Sequence, residues 1–344
     1  MVEEPWGRHQ EEESLLQKIV GRIGDIFRVW RRVGSSQFDT LIVQTTTELR
    51  NFSRDVPVMW ICRRRVRCIV VQFHGSTPET VLGAGNTMFK VAARWLFRLA
   101  DAVIVSSTEE QREWRKFQPD ASILTTTNPY VSPEGTDSSV VANLWNLPRG
   151  VPVVLFVGRM IPQKGIFDLL EAVAQLDGNV PFHLLMVGYG PAVDDFQARA
   201  KDLKVDGRVT VAGFVNEAQL RSAYRSADVF VLPSWSEGFP TVLMEAMDAG
   251  LPIVTTRIRG AVDCLDEGVH ACFVPSRDPK QLAEALGRVL SNPGLRAGMG
   301  TTNRIKVKDF SPEAVGRHYF GLLRQIAVSK TQGGTARIEV SHSA

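Results

Sequence analysis

Residues 233–256 read PSWSEGFPTVLMEAMDAGLPIVTT. They follow Asp228-Val-Phe-Val-Leu, an apolar β-rich run that Pro233 stops, which predicts a short buried strand. Ser234 to Pro240 carries Gly and Pro punctuation and reads as a loop. Thr241 to Ala249 favours helix, with Thr241 as its expected N-cap and Gly250-Leu-Pro as its stop. Ile253–Thr256 is the next strand. Strand, loop, helix and strand in this order form a unit of a parallel α/β sheet. Such sheets bind ligands at the carboxyl ends of their strands, where a helix N-terminus attracts anions. Glu237 lies in the loop, and Glu245 one turn into the helix. Carboxylates accept from hydroxyls, so the pair suits a polyhydroxylated ligand that also carries phosphate. On spacing alone, a loop charge and a solvated helix position are the favoured reading of the two glutamates.

Working outward, the same alternation fills the chain. Strands are expected at Phe38–Gln44, Cys68–Phe73, Ala102–Ser107, Val151–Val157, Phe182–Val187 and Val209–Ala212. Helices are expected at 14–32, Met88–Leu99, Glu109–Phe117, Ile166–Leu176, Asp194–Leu203, Asn216–Ser226, Pro279–Leu290 and Ser311–Ile326. This predicts an α/β protein with parallel sheets. The expected domains are a disordered acidic tail at 1–13, a first Rossmann-like domain at 14–135, a linker at 136–150 and a second Rossmann-like domain at 151–308. A C-terminal helix at 309–327, returning toward the first domain, and a disordered tail at 328–344 complete the division.

The 344 residues are 44% hydrophobic and 22% charged, an ordinary globular composition. A net charge of +3 gives no argument for nucleic acid. No apolar run reaches membrane-spanning length, and the acidic start has no signal-peptide core. Four cysteines without CxxC spacing read as free thiols of a reducing cytoplasm.

A second cluster lies in Phe156-Val-Gly-Arg-Met-Ile-Pro-Gln-Lys-Gly. Gly158 and Arg159 stand at a strand end and Lys164 at the start of a helix, cations that suit a diphosphate. The P-loop order is absent. Val187-Gly188-Tyr189-Gly and Ala212-Gly213-Phe214 are two more glycine-bearing strand ends, each by itself a plain turn. Together with the glutamate loop they ring one edge of a sheet. His74 ends a strand of the first domain, where a hydrogen-bonded structural role is the more common one.

FVGRMIPQKGIFDLLEA, LLMVGYGP, VTVAGFV and PSWSEGFPTVLMEAMDAGLPIVTT together resemble the donor domain of retaining GT-B glycosyltransferases of family 4, the glycosyl transferases group 1. Residues 38–130 resemble the second half of the acceptor domain. The resemblance implies two Rossmann-like domains with a donor crevice between them. It assigns Gly158, Arg159, Lys164 and Thr241 to the donor diphosphate, and Glu237, Gly238 and Phe239 to its sugar. Glu245 falls to the ribose, and Gly188, Tyr189, Gly213 and Phe214 to the base. His74 and Glu237 are the expected catalytic residues. The implied co-substrate is a UDP- or GDP-linked sugar and the acceptor a glycan or lipid-linked glycan, with no other cofactor. No D-x-D occurs, so no metal is expected. On these roles Glu237→Gln leaves affinity for the free diphosphate unchanged and depresses kcat.

The chain departs from that pattern in three ways. The family's opening strand and glycine-rich loop have no counterpart, so the first domain reads as incomplete; a nucleotide-sugar-binding module without turnover is the second reading. Pro240 stands where Gly is frequent, and Asp263 where Glu is common. Between Lys18 and Gln118, 17 basic residues face nine acidic ones, with Trp30, Trp60, Trp95 and Trp114 interleaved. That pattern suits peripheral contact with an anionic membrane from the cytoplasmic side, and equally a solvated basic face over core tryptophans.

Overall fold

A computed structural model describes residues 15–35, 38–74, 83, 87–132, 144–176 and 180–331. The expected tail at 1–13 and most of the linker lie outside them; of the tail expected disordered at 328–344, residues 328–331 instead continue the last helix, which Lys330 ties to Asp101, and the rest lies outside. The chain divides into two units, residues 1–127 with 317–344, and residues 128–316.

The first unit holds a parallel sheet in the order β1-β2-β3-β4. Its strands are β1 (Thr40–Thr45), β2 (Cys68–Phe73), β3 (Ala102–Val105) and β4 (Ile123–Thr125). Four helices accompany them, α1 (Leu15–Ser35), α2 (Leu49–Cys62), α3 (Thr87–Leu99) and α4 (Thr108–Phe117). Strand β2 shows why its run is apolar throughout. Ile69, Val71 and Phe73 point into a core with Phe52, Met59, Leu96 and Trp114, while Cys68 and Val70 point into a second core on the other face. A parallel strand covered on both faces loses the polar alternation of a half-exposed one. The second core is closed by Leu322 and Ile326, late in the long helix Pro312–Thr331, and the Tyr319 hydroxyl donates to Gln72 Oε1 at 3.0 Å.

The second unit holds six parallel strands in the order β10-β9-β8-β5-β6-β7. They are β5 (Val153–Val157), β6 (His183–Val187), β7 (Val209–Gly213), β8 (Val229–Leu232), β9 (Ile253–Thr256) and β10 (Ala271–Val274). The helices are α5 (Ile166–Gln175), α6 (Val193–Asp202), α7 (Glu217–Ser226), α8 (Thr241–Asp248), α9 (Arg259–Cys264), α10 (Pro279–Leu290) and α11 (Pro293–Lys306). In chain order α12 is then Pro312–Thr331. The strand order is that of the doubly wound dinucleotide folds. Its direction of progression reverses between β5 and β8, the topological switch point at whose strand carboxyl ends sheets of this kind bind ligands.

Several elements have no strong signature in the sequence. Helix α2 runs through Pro57, which removes one backbone donor; burial of Phe52, Val58, Met59 and Cys62 offsets that cost. β4 and β10 are three and four residues long. α11 carries three glycines, and Gly300 is one for a steric reason: a Cβ there would lie 2.2 Å from the Gly250 carbonyl oxygen. Asn303, fully buried on the same helix, donates from Nδ2 to the carbonyls of Leu251 and His270. The second unit also begins earlier than the change in composition suggests, because Tyr130 N donates to Phe310 O at 2.7 Å. The four cysteines are free and buried, and no described helix is long and apolar enough to cross a membrane.

Candidate functional site

The loops leaving β5 and β8, at the reversal point, are built against each other. After Gly158, Arg159, Met160 and Ile161 the chain makes a 3-10 turn over Pro162–Lys164 and then takes a left-handed step at Gly165, φ 68°. A Cβ on Gly165 would sit 2.0 Å from the Pro233 carbonyl oxygen, so only glycine lets this turn seat on the end of β8. Trp235 fastens the contact. Its backbone N donates to Gln163 O at 2.9 Å, its indole Nε1 donates to Asp168 Oδ2 at 2.6 Å, and the Arg277 guanidinium lies 4.1 Å over its ring.

This seating brings the two motifs together. Lys164 Nζ forms an ion pair with Glu237 Oε1, and the same oxygen accepts from Ser234 Oγ at 2.8 Å. Ser234 is itself fixed, because its carbonyl accepts from Thr256 Oγ1. Arg159 is exposed, and no carboxylate among the described residues pairs with it. Gly238, Phe239 and Pro240 are backed by Gly260 of α9, where a Cβ would come within 2.9 Å of all three. The Phe239 ring packs 6.2 Å from that of Phe310.

The expected role of Thr241 as N-cap requires correction. Pro240 is the N-cap, in extended conformation, and Thr241 is the first helical residue; no side chain caps α8. Proline's fixed φ suits the entry to a helix, and it has no N–H to satisfy. The Leu243 amide donates to Pro240 O at 3.1 Å, and the Thr241 and Val242 amides ahead of it keep their capacity to meet an anion.

Glu245 lies further along α8, half-buried, where the Tyr224 hydroxyl of α7 donates to its Oε2 at 2.7 Å. Burial raises the carboxyl pKa above its ordinary value, and the Tyr224 bond partly opposes that. Asp248, one turn on, accepts from Tyr130 at 3.2 Å and Ser132 at 2.7 Å.

The β6 and β7 loops continue the row. Gly158 N donates to Val187 O, Met160 N to Tyr189 O and Gly188 N to Gly213 O. Gly188 has φ 140° and Gly213 φ 70°. Tyr189 and Phe214 stand 63% and 78% exposed, edge to face, with ring centroids 5.7 Å apart. Two large aromatic faces held in the open by a hydrogen-bonded pair of loops offer a stacking platform for a planar group.

The second unit thus gathers Gly158, Arg159, Lys164, Glu237, Gly238, Phe239 and Thr241 on adjoining loops, with Gly188, Tyr189, Gly213 and Phe214 on the next two. His74 belongs to the first unit, exposed where β2 ends, and its backbone N donates to Thr45 O. Ser234, Tyr224, Trp235 and Asp168 carry no motif signature of their own, apart from a tryptophan in a Gly/Pro loop. Among the described residues no group of three or more His, Cys, Asp or Glu is placed to hold a metal.

The family model "Glycosyl transferases group 1" matches residues 143–306. An uncharacterized glycosyltransferase of Methanocaldococcus jannaschii is 36% identical over 144 residues, 42% of this chain and 37% of that protein. The lipopolysaccharide core biosynthesis glycosyltransferase LpsE of Rhizobium meliloti is 33% identical over 177 residues, 51% of each. The chain thus spans about half or less of these relatives' length. Among solved structures, a glycosyltransferase of Rickettsia africae superposes with TM-score 0.73 at 18% identity, covering 92% of this chain and 84% of that one. HepE of Anabaena, solved in complex with UDP, gives TM-score 0.72 at 20% identity over 89% and 84%. The fold is the one these GT-B glycosyltransferase structures have, and the match to the glycosyl transferases group 1 model lies within the second unit.

Proposed function

We propose that the protein transfers a sugar from a UDP- or GDP-linked donor to a hydroxyl of a glycan or lipid-linked glycan, with retention of configuration. The carrying observation is the meeting of Arg159, Lys164, Glu237 and the uncapped start of α8 at the β5/β8 reversal. In this reading the diphosphate lies over the α8 N-terminus, held by Arg159 and Lys164. These groups stabilise the charge that develops as the glycosidic bond breaks. Glu245 accepts from the ribose hydroxyls, and the base stacks by Tyr189 and Phe214. Glu237, Gly238 and Phe239 hold the sugar, and His74 serves the acceptor side. No carboxylate nucleophile is assigned, which favours front-face displacement, with the leaving phosphate accepting the acceptor's proton. UDP bound by HepE supports the nucleotide assignment by analogy of fold. The test is a panel of nucleotide-sugars followed by release of nucleoside diphosphate. Turnover supports transfer; binding without turnover under any acceptor supports the binding-module reading.

Glu245 gives a prediction with a definite sign. A carboxylate accepts from two ribose hydroxyls, whereas a carboxylic acid has lost acceptor capacity, so affinity falls as pH drops through its raised pKa. Tyr224→Phe removes the contact that favours the charged form. The acid limb of UDP binding then moves to higher pH, while 2′,3′-dideoxy-UDP, lacking the hydroxyls, shows no such shift. An unmoved limb removes Glu245 from the ribose.

We extend the proposal to peripheral membrane contact. Trp114 is fully buried in the first core, but Trp60 is 67% exposed, and Phe27, Met88 and Trp95 are exposed with it on α1 and α3. Arg65 lies 3.8 Å over the Trp30 ring. Binding to phosphatidylglycerol vesicles that weakens with salt, against weak binding to phosphatidylcholine, is the expected result. Equal partition into both ends this part of the proposal.

A further inference from the structure

We propose that Lys164 is an exchangeable cation, held by Glu237 when the diphosphate site is empty and surrendered to the diphosphate when it fills, so that Glu237 competes with the nucleoside diphosphate product. This rests on the diphosphate assignment above. Glu237 Oε1 receives both Lys164 and Ser234. The lysine and glutamate side chains are 25% and 14% exposed, respectively, so the pair is partly desolvated and each charge left without the other goes uncompensated. Among the described residues Arg159 has no such partner, so it meets a diphosphate without first breaking an ion pair.

The order of events follows from charge. A diphosphate carries more negative charge than one carboxylate and draws Lys164 away. Glu237, still fixed by Ser234, then offers its carboxylate to the hydroxyls of the donor sugar. Once the sugar has been transferred, those hydroxyls are gone and Glu237 keeps only Ser234. Its return to Lys164 loosens the hold on the nucleoside diphosphate. The carboxylate that serves the sugar thereby also helps to expel the product.

This reverses the expectation that Glu237→Gln leaves free diphosphate affinity unchanged. Calorimetry of UDP and GDP with the full chain tests it in four forms: wild type, Glu237→Gln, Lys164→Met and the double variant. Glu237→Gln is expected to bind the preferred diphosphate about fivefold more tightly, the factor equivalent to roughly 1 kcal/mol for releasing one ion pair. Lys164→Met binds it more weakly, and adding Glu237→Gln to Lys164→Met brings no tightening. Tightening of equal size in both backgrounds shows plain charge repulsion and overturns the exchange. So does Glu237→Gln binding like wild type or more weakly while Lys164→Met loses affinity. If the wild type binds neither nucleotide, or Lys164→Met binds as wild type does, the diphosphate assignment itself fails and takes the exchange with it. A structure with UDP bound provides a readout independent of variant folding: Lys164 Nζ on a phosphate oxygen supports the exchange, and Lys164 still on Glu237 overturns it.

Discussion

Arg159→Met weakens UDP or GDP binding by about 1.5–3 kcal/mol, the worth of a charge-assisted hydrogen bond, or roughly 10- to 150-fold in Kd. The single Lys164→Met variant loses less. The difference comes from what each cation gives up. Arg159 is exposed and, among the described residues, has no carboxylate to leave, whereas Lys164 must first part from Glu237. Sequence alone makes the two equivalent, as flanking cations of one loop; the ion pair ranks them. Calorimetry on each variant checks the order, with melting temperatures to show that the fold is intact. Equal losses, or a larger loss at Lys164, contradict it.

Gly188→Ala destabilises the protein by roughly 3 kcal/mol or more, through a strained backbone and a hard contact. At φ 140° an added Cβ would stand 1.8 Å from the carbonyl oxygen of Gly158. Neither partner is a flexible side chain that can swing away, so the β5 and β6 loops must separate. Gly213→Ala is the matched comparison. Its φ of 70° is also left-handed, yet an added Cβ would meet nothing within 4 Å. Its cost is the conformational term alone, about 1–2 kcal/mol. Urea denaturation of both variants measures the gap. If the two lose the same stability, the close approach of the loops is not what fixes Gly188.

What could be read from the sequence divides along the range of the interactions. β2, β8 and β9 lie where their apolar runs end, because burial on both faces and a following His, Pro or polar turn are local facts. α8 was legible for the same reason, apart from its cap, where Thr241 competed with Pro240 and proline's backbone geometry prevailed. α2 was hidden by Pro57, whose cost only tertiary burial offsets, and α11 by its three glycines, of which Gly300 is set by close approach to the Gly250 carbonyl 50 residues earlier. In the site the residue types were legible and their pairings were not. Lys164 and Glu237 are 73 residues apart, Trp235 and Asp168 67, and Tyr224 and Glu245 21. No periodicity records such separations. Tyr224 and Asp168 in particular belong to ordinary amphipathic helices, and only their partners give them a task.

The split of the first unit between both ends of the chain has a consequence for biosynthesis. Cys68, Val70, Ala102, Ile104 and Leu124 form an apolar sheet face whose cover is Leu322 and Ile326. A ribosome that has completed β4 must add nearly 200 more residues before that cover exists, which takes about 10–40 s at ordinary elongation rates. Through that interval the nascent sheet carries a bare hydrophobic side, the kind of surface that chaperones capture and that aggregates when they do not. A stop codon ahead of Leu322 leaves the second unit's residues whole and still yields a protein that cannot close its first core. Loss of a late segment is here an assault on a core whose other members are made far earlier.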